Sequence, residues 1–332
     1  MEQPVTPMPH LRAMSIGDMF DAAFRLYRKH FLTFIGIVAL VQVPMSIVHF
    51  YLEYVVAGNA TLDVLRFSAR PPVIRPGQNP LSAFPINSFL TFYGIIFGVA
   101  IFQGLIIQNL TTGALANAIS RSYLGRPISI LGAYGFGLRR YLSLIASSFV
   151  LLLIGIIVVA LFGGCAFGAV VLFARSLGGR AAFAGILLGW FAIILLIILL
   201  IPVILFFFIR FVLTTQAIVL EGRGPLSGLA RSWKLISKSF WRALGVFVLV
   251  LLLSYLLSVI PSLLLTFGLN LITGNSATSM LRNQALGSFV AQVGLIVGLP
   301  LLFSVYTLLY YDLRIRKEGY DLELMAQQAA TL

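Results

Sequence analysis

Six apolar runs of about 20 residues or more divide this 332-residue chain, at roughly 31–57, 89–119, 141–173, 181–213, 240–268 and 288–311. Each is long enough to cross a bilayer as a helix that satisfies its own backbone hydrogen bonds. With 60% hydrophobic and only 10% charged residues, the chain lies far from soluble domains, where about a quarter of residues are charged. The expected fold is therefore an all-α integral membrane protein with six transmembrane helices. The third and fourth runs exceed what a hydrocarbon core of about 30 Å requires, so they must tilt, kink or protrude. The short Gly-rich turn "RSLGGR" (175–180) joins them as a tight antiparallel hairpin.

The bases set the direction. Arg12, Arg25, Arg28 and Lys29 precede the first run; Arg121, Arg126, Arg139 and Arg140 lie in the second connection. Arg210, Arg223, Arg231, Lys234, Lys238 and Arg242 lie in or beside the fourth, and Arg314, Arg316 and Lys317 follow the sixth. All fall on one side, while Arg66, Arg70, Arg75, Arg175, Arg180 and Arg282 fall on the other. By the positive-inside rule the richer side is cytoplasmic, with both termini on it. The expected organisation is a cytoplasmic N-terminal tail with an interfacial helix (1–30), a six-span domain (31–311) and a cytoplasmic C-terminal segment (312–332). About thirty mostly polar residues precede the first run and no small-residue cleavage site follows it, so the first helix is expected to be retained. The net charge of +13 would suggest nucleic acid in a soluble protein. Here the bases flank apolar runs, so the partners expected are membrane lipids, through anionic head groups, and other membrane proteins, with no nucleic acid.

Three segments share one plan. Residues 16–37, 128–148 and 225–247 each place an amphipathic stretch, then bases, then an aromatic residue ahead of an odd-numbered run. Lys29-His30-Phe31 corresponds to Arg139-Arg140-Tyr141 and to Lys238-Ser239-Phe240. In the first segment Ile16, Met19, Phe20, Ala23, Phe24 and Tyr27 follow i, i+3, i+4 spacing, the pattern of a helix lying along the membrane surface. The chain is read as a threefold repeat of an interfacial helix and a two-span hairpin, giving about three interfacial helices. Tyr310 and Tyr311, at the end of the last run, fit an interfacial aromatic belt.

Polar residues within the runs need partners. Gln42, Ser46, His49 and Glu53 are spaced four, three and four, which puts them on one face of the first span. Gln103 and Asn109 lie on the second span, and Gln103 sits at about the depth of Gln42, within reach of a hydrogen bond. The set either ties helices together or lines a polar pocket between spans one and two. Pro44, Pro202, Pro261 and Pro300 predict kinks.

Signals for chemistry are missing. Cys165 is the only cysteine, and of His10, His30 and His49 only His49 stands at ligand spacing from an acid, Glu53, too few groups for a metal. Neither a phosphate-cradling G-x-x-x-x-G-K-[ST] loop nor a G-x-S-x-G elbow occurs. The expectation is no enzyme, no cofactor and no metal.

Three stretches carry a resemblance: "MSIGDMFDAAFRLYRKHFLTFIGIVALVQVP" (14–44), "LTTQAIVLEGRGPLSGLARSWKLISKSFWRALG" (213–245) and "TLLYYDLRIRKEGYDLELM" (307–325). The chain resembles, from end to end, the bacterial multi-pass family named after the membrane domain of glycerophosphoryl diester phosphodiesterase. The resemblance implies a stand-alone membrane domain in a bacterial cytoplasmic membrane, without the phosphodiesterase. Within its motifs Glu221, Arg231, Asp312, Arg314 and Glu318 fall close to span ends on the basic side, where partial desolvation strengthens ion pairs. They are either solvated singly or form a cluster in which Asp312 pairs with a base of the fourth connection, Arg231 before others, and clips the C-terminal segment under the bundle. Two functions are expected from these features: a non-catalytic protein that organises or accompanies other membrane components, or a transporter or lipid-handling protein using the polar pocket.

Overall fold

The computed structural model describes residues 13–52, 54, 58–69, 85–177, 182–274 and 276–320, which are helical throughout their ordered elements, with no strand among them. It is a multi-pass membrane protein: among the described residues six helical stretches are long and apolar enough to span, Phe31–Tyr51, Ile86–Tyr123, Ile130–Cys165, Ile194–Glu221, Phe240–Thr273 and Thr278–Glu318. Each overlaps one of the six runs expected from hydropathy.

Helix α1 (Ile16–Lys29) starts on a capping box, in which Ser15 Oγ accepts from Asp18 N at 3.1 Å and an Asp18 oxygen accepts from Ser15 N at 3.1 Å. Its buried face is Met19, Ala23 and Tyr27, one turn apart. His30, at φ −123° and ψ 31°, breaks the chain into α2 (Phe31–Tyr51). The same device separates α9 (Pro225–Ser237) from α10 (Phe240–Ser254), where Ser239 takes φ −133° and ψ 27°. Two of the three expected helix-then-span junctions are thus present.

The second junction is not. Helix α6 (Ile130–Leu177) runs unbroken through Arg139, Arg140 and Tyr141 for 48 residues, about 72 Å at 1.5 Å per residue. No separate interfacial helix forms over 128–140, because this stretch continues along α5 (Gln108–Tyr123) instead. Gly137 passes so close that a Cβ on it would stand 3.1 Å from Ala114 N, and one on Gly113 would stand 2.7 Å from a Leu144 methyl. Tyr134 then donates its hydroxyl to the Ile37 carbonyl, tying α6 to α2. The threefold plan survives at two junctions and is lost where two glycines let helices approach.

Helix α3 (Gly58–Ala69), which hydropathy does not foretell, packs against α4 (Ile86–Phe102), and Ser88 donates to Asp63 at 2.8 Å. Helix α7 (Ala182–Phe211) returns antiparallel to α6 and is followed by short α8 (Thr214–Glu221). The fifth span comprises α10, a π-helical turn at Tyr255–Val259, and α11 (Ile260–Thr273). Pro44, Pro202 and Pro300 lie inside continuous helices, whereas Pro261 opens α11 directly after the π turn.

The last helix, α12 (Ala277–Glu318), is the central column. Leu308, Leu309, Tyr310, Tyr311 and Leu313 are buried against Phe34 and Ile37 of α2, Leu115 and Ile119 of α5, and Val246 of α10. Tyr310 and Tyr311 are 0% and 2% exposed, so the expected aromatic belt is corrected: both rings belong to the core. Large apolar side chains such as Leu32, Leu90, Leu142, Leu252 and Leu264 point outward, as lipid-facing positions must.

Candidate functional site

The end of α12 carries two stripes. Tyr310, Arg314 and Glu318 are four apart and share a face; Asp312 and Arg316, also four apart, lie about 200° round the helix. Each stripe builds its own charged centre.

The first centre is Arg231. Helix α8 ends on Gly222, whose φ of +68° is the left-handed conformation that glycine adopts without strain, and Pro225 restarts the chain as α9. This corner turns Glu221 back onto Arg231, whose Nε lies 2.8 and 2.9 Å from the two Glu221 oxygens. The same guanidinium grips Glu318, with Nη2 at 2.6 Å from Oε2 and a second bond from Nη1 to Oε1. Tyr310 and Arg223 also donate to Glu221, and Arg314 stands 3.3 Å from Glu318 with its guanidinium 3.8 Å above the Tyr320 ring. Arg231 is 8% exposed, and the flanking Glu318 and Glu221 carboxylates hold its guanidinium above the ordinary arginine range.

The second centre is Asp312, which is fully buried. It accepts from Arg242 of α10 at 3.0 Å, from Arg316 at 3.0 and 3.1 Å, and from the Met14 backbone N–H at 2.8 Å. Both arginines donate to the Met14 carbonyl, so this one residue before α1 is held by both its N–H and its carbonyl. The expected pairing of Asp312 with Arg231 is therefore corrected: a base of the fourth connection does clip this helix, but it is Arg242. Glu318 takes Arg231 because it faces α9, while Asp312 faces α1 and α10. Of the predicted cluster, Glu221, Arg231, Arg314 and Glu318 meet in one centre and Asp312 stands in the other.

The polar stripe of span one turns inward as expected, with Gln42 and Ser46 buried and His49 half-buried. Glu53 lies outside the described residues. Gln42 Nε2 donates to Gln292 of α12 at 2.6 Å rather than meeting Gln103, and Ser46 donates to the Gln42 carbonyl at 2.7 Å. The pair ties span one to span six, which is the helix-contact reading with Gln292 as the partner in place of Gln103.

A cavity exists elsewhere. Between α4 and α5 the second span makes a π-helical turn at Gln103–Ile107, which puts its carbonyls out of α-helical register. Side chains take them up: Asn109 Nδ2 donates to Leu105 O at 2.8 Å, Tyr141 to Ile106 O at 3.1 Å and Thr111 to Ile107 O at 3.2 Å. Asn109 Oδ1 accepts from Ser148 of α6 at 3.0 Å. Beside this turn lies a cavity of about 680 Å³ between spans two, three, four and six, open to the outer surface of the bundle with the exposed Ile101, Ile204 and Phe208 in its lining. Its walls are apolar, among them Leu105, Leu151, Gly155, Phe207, Phe211 and Phe303, with Gln108, Asn109, Thr112, Ser148, Thr215 and Tyr306 supplying polar atoms. Sequence reasoning found Asn109 but not the cavity, whose residues read as ordinary span residues.

A family model described as "Domain of unknown function (DUF7847)" matches residues 14–313. The chain belongs to the DUF7847 family. No curated protein and no solved structure matches it. The DUF7847 match begins at Met14 and ends one residue after Asp312, the two residues that the second charged centre joins. It also contains the whole cavity and the Glu221–Arg231 corner, whereas Arg314 and Glu318 lie beyond its end.

Proposed function

We propose that this DUF7847 protein is a non-catalytic, lipid-handling membrane protein that takes up an apolar chain in the cavity between spans two, three, four and six. The cavity carries this reading: its volume of about 680 Å³ falls in the range of roughly 300–1,000 Å³ typical of small-molecule sites. A few polar groups at Asn109, Ser148 and Thr112 give it the amphiphilic character of a lipid. The π turn supports it, since such turns occur disproportionately at functional positions. The role of organiser of other membrane components is favoured less, because the acids Glu221, Asp312 and Glu318 are engaged within the chain.

The test is photolabelling of the purified protein with a diazirine-bearing fatty acid. Peptides 100–112 and 148–158 should be labelled preferentially, and Gly155→Trp should reduce that labelling severalfold. Gly155 lines the cavity and has no atom within 4 Å of where its Cβ would stand, so a side chain placed there starts into open space. Labelling spread evenly over outward-facing residues and indifferent to Gly155→Trp would sink the reading.

The setting is part of the proposal. The protein sits in a bacterial cytoplasmic membrane with the basic face and both termini cytoplasmic, in contact there with anionic head groups and without nucleic acid. A reporter fused after Leu332 should be active only in its cytoplasm-dependent form; activity only of a periplasm-dependent reporter would reverse the orientation.

A further inference from the structure

Most bases packed into the described part of the basic face have an acid: Arg223, Arg231, Arg242, Arg314 and Arg316 all meet Glu221, Asp312 or Glu318. Three others converge at the end of α9, where Glu318 is the acid that acts on Lys317. Arg210 ends the fourth span, Lys238 caps α9, and Lys317 lies near the end of α12 beside Glu318 of the Arg231 centre. Lys317 donates to the Leu235 carbonyl of α9, three residues before Lys238, and Arg210 stacks on Trp233 of the same helix, so the three bases gather about the end of α9, with Glu318 also within Coulombic reach of Lys317. Among the described residues no carboxylate lies within ion-pair distance of Arg210 or Lys238.

Their surroundings hold Arg210 and Lys317 there. The Arg210 guanidinium stands 4.6 Å from the Trp233 ring centroid, 5.1 Å from Phe206 and 5.8 Å from Phe240, a cage that fixes it by cation–π attraction without neutralising it. Its Nε and Nη1 are buried and have no hydrogen-bond partner. Ser232 accepts from Leu213 N at 3.2 Å and donates to the Arg210 carbonyl at 2.8 Å, which locks the end of the span to α9. Lys317 gives one proton to the Leu235 carbonyl, leaving two of its three donors. Trp241, 80% exposed, stands nearby in the chain as an outward apolar group. Fixed positive charge at a span end beside an aromatic, lipid-facing surface is the chemistry that recognises an anionic headgroup.

We propose that Arg210, Lys238 and Lys317 form a specific site for the phosphate of an anionic phospholipid, with Trp233, Phe206 and Phe240 holding the arginine in place. This deepens the headgroup contact proposed above and rests on it, but it is independent of the cavity. Phosphate is the group recognised, and a lipid is its source, because the site lies where span four ends.

The test uses the full chain in nanodiscs of equimolar phosphatidylglycerol and phosphatidylcholine, with retained lipids counted by native mass spectrometry. The protein should retain phosphatidylglycerol preferentially, and Lys238→Gln with Lys317→Gln should lower the preference about 25-fold, since each base near an anionic surface is worth roughly fivefold. Lys234→Gln, an exposed base on the same helix, should leave it intact. No preference in the unaltered protein would overturn the headgroup contact for the whole face. A preference that persists in the double variant would overturn this site alone, and displacement of the lipid by millimolar inorganic phosphate would overturn a lipid source.

Discussion

Asp312→Ala should destabilise the protein by about 3–5 kcal/mol, the range for removing one partner of a buried ion pair. The loss is large because the fully buried carboxylate satisfies two guanidinium groups and the Met14 N–H together. Without it Arg242 and Arg316 face each other across the Met14 carbonyl, with nothing to offset their repulsion. Unfolding by SDS titration in mixed micelles would give the stability change. Limited proteolysis should also cut ahead of α1 faster in the variant. Replacing Arg242 with Met in the Asp312→Leu background should restore part of the stability, since apolar replacement of a whole buried pair costs little. A change within about 0.5 kcal/mol for Asp312→Ala, the scale of a surface substitution, would show that the centre does not hold this face.

Gly294→Leu should cost about 3 kcal/mol or more, the upper end for overpacking. Pro261 has no N–H to give the Leu257 carbonyl four residues back, and α12 passes that carbonyl with a glycine. A Cβ on Gly294 would lie 2.2 Å from Leu257 O and 2.6 Å from Ser258 Cα, both backbone atoms that no rotamer change can move. Spans five and six would have to separate. Gly298→Ala is the control, because its Cβ would meet a Leu257 methyl at 3.3 Å, and that flexible side chain can yield. Equal unfolding midpoints for the two variants would remove the argument from close approach.

The spans were legible because hydrocarbon demands long apolar helices, and their ends show in the chain as bases and aromatic residues. The inward face of Gln42 and Ser46 was legible from spacing alone. Their partner was not: depth offered Gln103, and only packing shows that α12 brings Gln292 closer. Spacing also contained the two stripes of α12, Tyr310–Arg314–Glu318 and Asp312–Arg316, yet the choice between Arg231 and Arg242 depends on which neighbour each stripe faces. The cavity is hidden for a deeper reason. Phe207 lining it and Phe191, exposed on the same helix, have identical hydropathy, because in a bilayer outward and inward surfaces are both apolar. The unbroken α6 turned on Gly113 and Gly137, which in a list of small residues look like any other glycines.

The hydrogen bond from Met14 to Asp312 joins positions 298 residues apart, and this dictates an order of assembly. While the ribosome is still making the middle spans, the first helix has only its own capping box and the apolar side of Met19, Ala23 and Tyr27 to keep it at the bilayer surface. Closure waits for the final span to be inserted, so a polypeptide truncated before residue 312 carries an unlatched leading segment however well its earlier helices have formed.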